Sequence, residues 1–134
     1  MNKSLNTILC LFLTVMLLSG CASGSYNLQS VAGINISDLE HARSSGKEMT
    51  VQMPYDAAYD KVMEIIRDNK LTAFRYDKNR GYIVAIGFPK QETTTRVGIF
   101  FDTAGENSTK VTLSCLSSTC LAKAQNIIFG GLQK

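Results

Sequence analysis

Between Leu71 and Leu116 four apolar stretches follow one another, each of strand length and each closed by a polar turn. They occupy residues 71–76, 82–88, 96–102 and 109–116. Stretches this short, rich in β-branched and aromatic residues, predict strands rather than helices. The first two flank Asp77-Lys78-Asn79-Arg80-Gly81, a hairpin signal, and Pro89 opens the polar loop before the third. Thr103-Ala104-Gly105-Glu106-Asn107-Ser108 then turns the chain into the fourth. Consecutive strands with short connections pair with their neighbours, so the segment is expected to form an antiparallel meander.

Helices are expected at both ends of this meander. Residues 49–53 read as a short strand stopped by Pro54, and residues 55–69 repeat with helical period. Ala58, Tyr59, Val62, Ile65 and Ile66 make one apolar stripe on that helix. Asp56 and Asp60 sit near its positive end, and Asn69 is a candidate for a left-handed terminal residue. After the last strand, Ser117-Ser118-Thr119 supplies N-cap candidates for a helix that buries Leu121, Ala124, Ile128 and Ile127 and frays at Gly130-Gly131. The order β-α-β-β-β-β-α predicts an α+β two-layer sandwich over residues 49–134, an antiparallel sheet of about five strands with two helices on one face.

Strand alternation sorts the sheet residues into two sets. One set holds Leu71, Ala73, Ile83, Ala85, Val97, Ile99, Phe101, Val111, Leu113 and Cys115, with Arg75 its only charged member, and is assigned to the helical side. Pairing Tyr76 with Tyr82 sets Ala73 against Ala85 and Leu71 against Gly87, small residues that admit a helix. The other set contains Phe74, Tyr76, Tyr82, Val84, Ile86, Phe88 and Phe100. So much exposed aromatic surface exceeds the largest patch of an ordinary monomer, roughly 300–600 Å². This face is expected to be an interaction surface, covered by a protein partner, by a second copy, or by Tyr26, Leu28 and Val31 folding back.

The start of the chain says where such a module resides. After Lys3, residues 8–18 are apolar apart from Cys10 and Thr14, 11 residues where a membrane-spanning helix needs about 20. A basic start, a short apolar core and a small-residue exit predict a secretory signal peptide over residues 1–20. Leu18-Ser19-Gly20-Cys21 resembles the lipobox of bacterial lipoproteins at all four positions. The resemblance implies that Cys21 is acylated and becomes the first residue of a mature chain of 114 residues with net charge +2. Several acyl chains hold a protein on the membrane, where one gives only marginal attachment. Ala22, in a place where aspartate favours the inner membrane, implies the outer membrane facing the periplasm. Residues 21–48 are rich in Ser, Gly and Asn and are expected to be a lipidated tether with a reach of about 30 Å. Within it, Ser37-Asp38-Leu39-Glu40 suggests a short capped helical turn.

A second resemblance covers residues 49–134. The stretch MPYDAAYDKVMEIIRDNKLTAFRYDKNRGYI is similar to the opening of helix-grip or TBP-like domains in small bacterial envelope lipoproteins, the general kind carried by the lipoprotein C component of the β-barrel assembly machine. Pro54, Tyr59, Val62, Ile66, Asp77, Gly81 and Ile83 fit that pattern, whereas Asn69 stands where an apolar residue is usual. The likeness is architectural and implies no activity.

Residues that could carry chemistry are few. The only histidine, His41, lies in the expected tether, so neither a Ser-His-Asp nor a Cys-His mechanism has a base. Asp56, Asp60 and Glu64 form a helical stripe that reads as a solvated face, and Gly98, Gly105, Gly130 and Gly131 make no phosphate loop. Cys115 and Cys120 lack the spacing of a zinc site. In an exported chain the pair is a candidate disulfide, although alternation also allows Cys115 as a buried thiol. Charges of both signs are interspersed, which argues against a nucleic-acid surface. The expectation is therefore a non-catalytic, membrane-anchored lipoprotein, without cofactor or metal, acting as a tethered protein-interaction module of the cell envelope. The alternative is a small apolar ligand or lipid held in a helix-grip cavity, for which about 86 residues leave little spare core.

Overall fold

A computed structural model describes residues 35–91 and 94–134. The signal segment, Cys21, Tyr26, Leu28 and Val31 lie outside the described residues. Five strands, β1 (Lys47–Val51), β2 (Thr72–Asp77), β3 (Tyr82–Ile86), β4 (Val97–Gly105) and β5 (Ser108–Ser114), form one antiparallel sheet in the order β1-β5-β4-β3-β2. Three α-helices of more than one turn accompany it: α1 (Ile36–His41), α2 (Tyr55–Asp68) and α3 (Ser118–Ala124). The fold is the expected α+β sandwich, with α2 and α3 covering one face. The third helix, α1, falls where a tether was expected, so the folded unit begins by Asn35 and well before Met49.

Helix α2 buries the stripe its period dictates, Ala58, Tyr59, Val62, Ile65 and Ile66. These side chains meet Ile83, Ala85, Val97, Ile99, Val111 and Leu113 from the sheet and Leu121, Ala124 and Ile128 from the C-terminal helical segment in one core. The left-handed residue that ends α2 is Lys70 (φ 57°), not Asn69. The Asn69 amide donates to the Ile65 carbonyl at 2.9 Å, which holds Asn69 in the helical turn and moves the reversal one residue on. The Leu71 N–H then satisfies the Ile66 carbonyl at 2.9 Å.

The hairpin between β2 and β3 forms at the expected turn. The Asp77 carboxylate accepts from the N–H groups of Asn79 and Arg80 at 3.0 and 3.1 Å. Gly81 has φ 69°, and a Cβ there would stand 2.8 Å from the Phe101 carbonyl oxygen. The register departs from expectation within β2. Ala73 faces Ala85, but Arg75 faces Val84, Tyr76 faces Ile83 and Asp77 faces Tyr82, because a bulge lies between Ala73 and Arg75. One extra residue transfers every later side chain to the other face. Arg75 thereby leaves the core side, and Tyr76 moves to the helical side at the sheet edge instead of pairing with Tyr82. At the far end of the hairpin, Gly87 (φ 90°) redirects the chain and Phe88 enters the main core.

After α3 the chain continues as a single π-type stretch, Gln125–Phe129, and a last turn, Gly130–Leu132. The extra residue in that turn rotates the helix so that Ile128, Phe129 and Leu132 all reach the core, where the expected stripe ended at Ile128. Gly130-Gly131 thus continues the helical segment. A Cβ on Gly131 would lie 2.7 Å from Cγ1 and Cδ1 of buried Ile65. Gly131→Ala is expected to destabilise the domain by about 1–3 kcal/mol through overpacking, read as a lower midpoint in thermal unfolding. Gly130→Ala, which meets nothing within 4 Å, should leave the midpoint unchanged or slightly raised.

Candidate interaction face

The face of the sheet away from α2 and α3 divides into a covered half and an open edge. Cover comes from α1 and the 3₁₀ turn that follows it, Ala42–Ser45. Asn35 caps α1 reciprocally with Asp38: the Ser37 N–H donates to the Asn35 side chain at 3.5 Å, and the Asn35 N–H donates to the Asp38 carboxylate at 3.3 Å. The expected box began at Ser37, and the cap stands two residues earlier. Leu39 then inserts among Tyr82, Val84 and Phe100 with 0 % exposure, with Ile36 beside it. The Ser114 hydroxyl, on the sheet below, donates to the Leu39 carbonyl at 2.7 Å. Arg43 places its guanidinium 4.6 Å from the Phe100 ring centre and pairs with Asp102. Gly98 makes room for this layer, since a Cβ there would stand 2.6 Å from the Phe100 ring and 2.9 Å from the Ser114 oxygen.

Four of the seven residues assigned to an open interaction face are therefore buried. Tyr82, Val84 and Phe100 lie under α1, and Phe88 lies in the opposite core. The segment that covers the sheet is residues 35–45. The short helical turn expected around Ser37-Asp38-Leu39-Glu40 forms here, but its packing onto the sheet was not expected, because one leucine in a polar stretch has no period. Ile86 is half-buried. Phe74 and Tyr76 remain open, at 52 % and 58 % exposure, on the edge strand β2, with Tyr76 turned to the helical side by the bulge.

The two sheet edges differ in kind. β1 presents Lys47, Glu48 and Thr50 to solvent, with Glu48 paired to Lys110 at 3.6 Å across β5, the usual polar protection of an edge. β2 presents aromatic rings framed by cations. Arg96 lies 4.4 Å over the Phe74 ring, Arg75 is exposed on the face opposite Tyr76, and Arg80 stacks 5.4 Å from Tyr82 at the hairpin end. The bulge interrupts a regular row of edge donors and acceptors, so β2 offers its side chains more than a template for added strand pairing.

Near that edge, Lys78 binds Asp56 and Asp60, both at 3.0 Å, while the Tyr55 hydroxyl donates to the Lys78 carbonyl at 2.6 Å. The hydrogen bonds to Asp60 and Asp56 hold the exposed Lys78 ammonium above its usual range. Glu64 pairs with Lys61 at 3.2 Å. The acidic stripe of α2 is thus tied to lysines at the surface, where such pairs contribute little stability. Burial pushes the Tyr59 phenol up to about 12, so it stays neutral, and its ring packs 5.0 Å from Phe101. An open depression of about 530 Å³ is lined by Tyr55, Asn79, Arg80, Gly81, Phe101, Asp102 and Thr103, a polar lining ill suited to an apolar ligand.

His41 is exposed on α1. Among the described residues no group of three or more His, Cys, Asp and Glu side chains is placed to hold a metal ion, and no helix is long and apolar enough to cross a membrane. Cys115 and Cys120 are both free thiols, Cys115 half-buried and Cys120 fully buried. Compared with known proteins, the chain matches no family model and no curated sequence.

Proposed function

We propose that this chain is a non-catalytic bacterial lipoprotein, anchored in the cell envelope through Cys21, whose folded domain binds a protein through its β2 edge. The observation that carries the binding role is the exposure of two large rings on an edge strand open along one side, Phe74 under Arg96 and Tyr76 on the helical side of the same edge. Aromatic and arginine side chains are the types enriched at protein interfaces, and large rings left wet on a monomer gain most from a partner. The anchoring role is supported by the apolar segment of 11 residues that ends on Leu18-Ser19-Gly20-Cys21. With Ala22 next to the anchor, the proposed site is the outer membrane, on its periplasmic side.

A photo-crosslinking side chain in place of Phe74 or Tyr76 tests the binding role in intact cells. It is expected to give discrete adducts with an envelope protein or a second copy, and the same side chain at Glu106, on the β4–β5 turn, is expected to give none. Identical adducts from all three positions, or none from any, would count against the edge as an interface. Phe74→Ser with Tyr76→Ser is expected to reduce adduct formation from a neighbouring position at least tenfold while the thermal midpoint stays within a few degrees, because both rings are already solvated.

A further inference from the structure

We propose that Cys115 and Cys120 form a reversible thiol–disulfide pair in which Cys115 is the sulfur that first meets an oxidant. Cys115 follows the last residue of β5, and Cys120 lies in the first turn of α3. The residues between them turn back on themselves. The Ser117 N–H donates to Cys115 Sγ at 3.4 Å, and the Cys120 N–H donates to Ser117 Oγ at 3.3 Å. The same reversal leaves Cys115 packed against the core in which Cys120 is buried.

Their surroundings differ in a way that orders the chemistry. Cys120 is sealed in the core, whereas Cys115 is half-buried and its neighbour Leu116 is 60 % exposed. Burial, and then the adjacent Cys115, push the Cys120 thiol up, so it stays protonated and inert until a leaving group stands beside it. In the first step the Cys115 thiolate attacks one sulfur of an external disulfide. The oxidant's S–S bond breaks, one half departs as a thiolate that takes up a proton, and a mixed disulfide remains on Cys115. In the second step Cys120 loses its proton and attacks Cys115 Sγ, expelling the other half as a thiol. The chain gives up two electrons and two protons, and the external disulfide becomes two thiols. The bond formed ties the end of the sheet to the start of α3, the helical segment that completes the core.

Oxidation in the cell rests on the envelope reading above, because thiols meet disulfide oxidants in that compartment; the chemistry of the pair does not. The test treats the purified full chain with oxidised glutathione, alkylates the remaining thiols and digests with trypsin. Both cysteines fall in one peptide, residues 111–123, between Lys110 and Lys123. The wild-type peptide is expected to end two hydrogens lighter and free of alkyl groups, after passing through a glutathione adduct on Cys115. Cys120→Ser is expected to stop at that adduct, and Cys115→Ser to keep an unmodified Cys120. A wild-type peptide that still takes up two alkyl groups, or an adduct that forms first on Cys120, would overturn the proposal. The wild-type time course carries the reading even if either variant folds poorly. Alkylation in intact cells separates the two ideas: closure with glutathione but open thiols in cells keeps the pair and counts against the envelope location.

Discussion

Leu39→Ala is expected to cost the domain about 2–5 kcal/mol, the range for removing a fully buried leucine from a packed site. For a domain of this size that lowers the thermal midpoint by roughly 10–20 °C. The size of the effect follows from what Leu39 touches. It is the one side chain of α1 that is completely buried, and it closes a small second core over Tyr82, Val84 and Phe100. Its loss opens a cavity and also loosens the carbonyl that accepts the Ser114 hydroxyl. If residues 35–45 were a tether with no part in the fold, the same substitution would leave the midpoint where it was. Circular dichroism during heating of Leu39→Ala beside the wild type distinguishes the two outcomes. Replacing Tyr82 and Phe100 together with Ser is expected to unfold the domain altogether, since those rings are covered.

The second large effect concerns location. Cys21→Ala is expected to abolish incorporation of labelled fatty acid completely and to leave a precursor that keeps residues 1–20. An all-or-none result is expected because the thiol is the only group at that position able to carry the first acyl chain. On the proposed anchoring, the variant would lack the membrane affinity that several buried hydrocarbon chains provide, about 0.8 kcal/mol per methylene. Gel mobility and radiolabel in the membrane fraction measure both changes. A variant that is processed and retained in membranes like the wild type would rule out lipid anchoring through Cys21.

These expectations fit together in one picture of the molecule. Acyl chains on Cys21 would hold the domain to a membrane, and α1 fastens the start of the folded unit across the sheet. That leaves β2, at the far side of the sheet from β1, as the part presented to a partner. On this reading the buried aromatic layer is a structural device that keeps the sheet rigid beneath α1. Recognition falls to the open edge itself, to Phe74 with Arg96 over it and to Tyr76 on the other side of the strand.

From β1 onward, the elements and their order were legible in the sequence. The stripe of α2, the turn at Asp77 and Gly81, the meander and the helical ending all follow from local period and turn chemistry, which short stretches of chain encode by themselves. The main core followed too, because alternation is regular where β3, β4 and β5 cross it, the irregularity between Thr103 and Gly105 lying at the hairpin end: Ile83, Ala85, Val97, Ile99, Val111 and Leu113 all point to the helices. Tertiary structure alone decided the rest. A bulge after Ala73 exchanged the faces of Arg75 and Tyr76, and Gly87 turned Phe88 into the core; a one-residue change in a period of two reverses everything beyond it without altering composition. The cover over Tyr82, Val84 and Phe100 was likewise invisible along the chain. It rests on Leu39, Ile36 and Arg43 meeting a sheet surface from residues far away in sequence, and so few apolar residues leave no periodic trace.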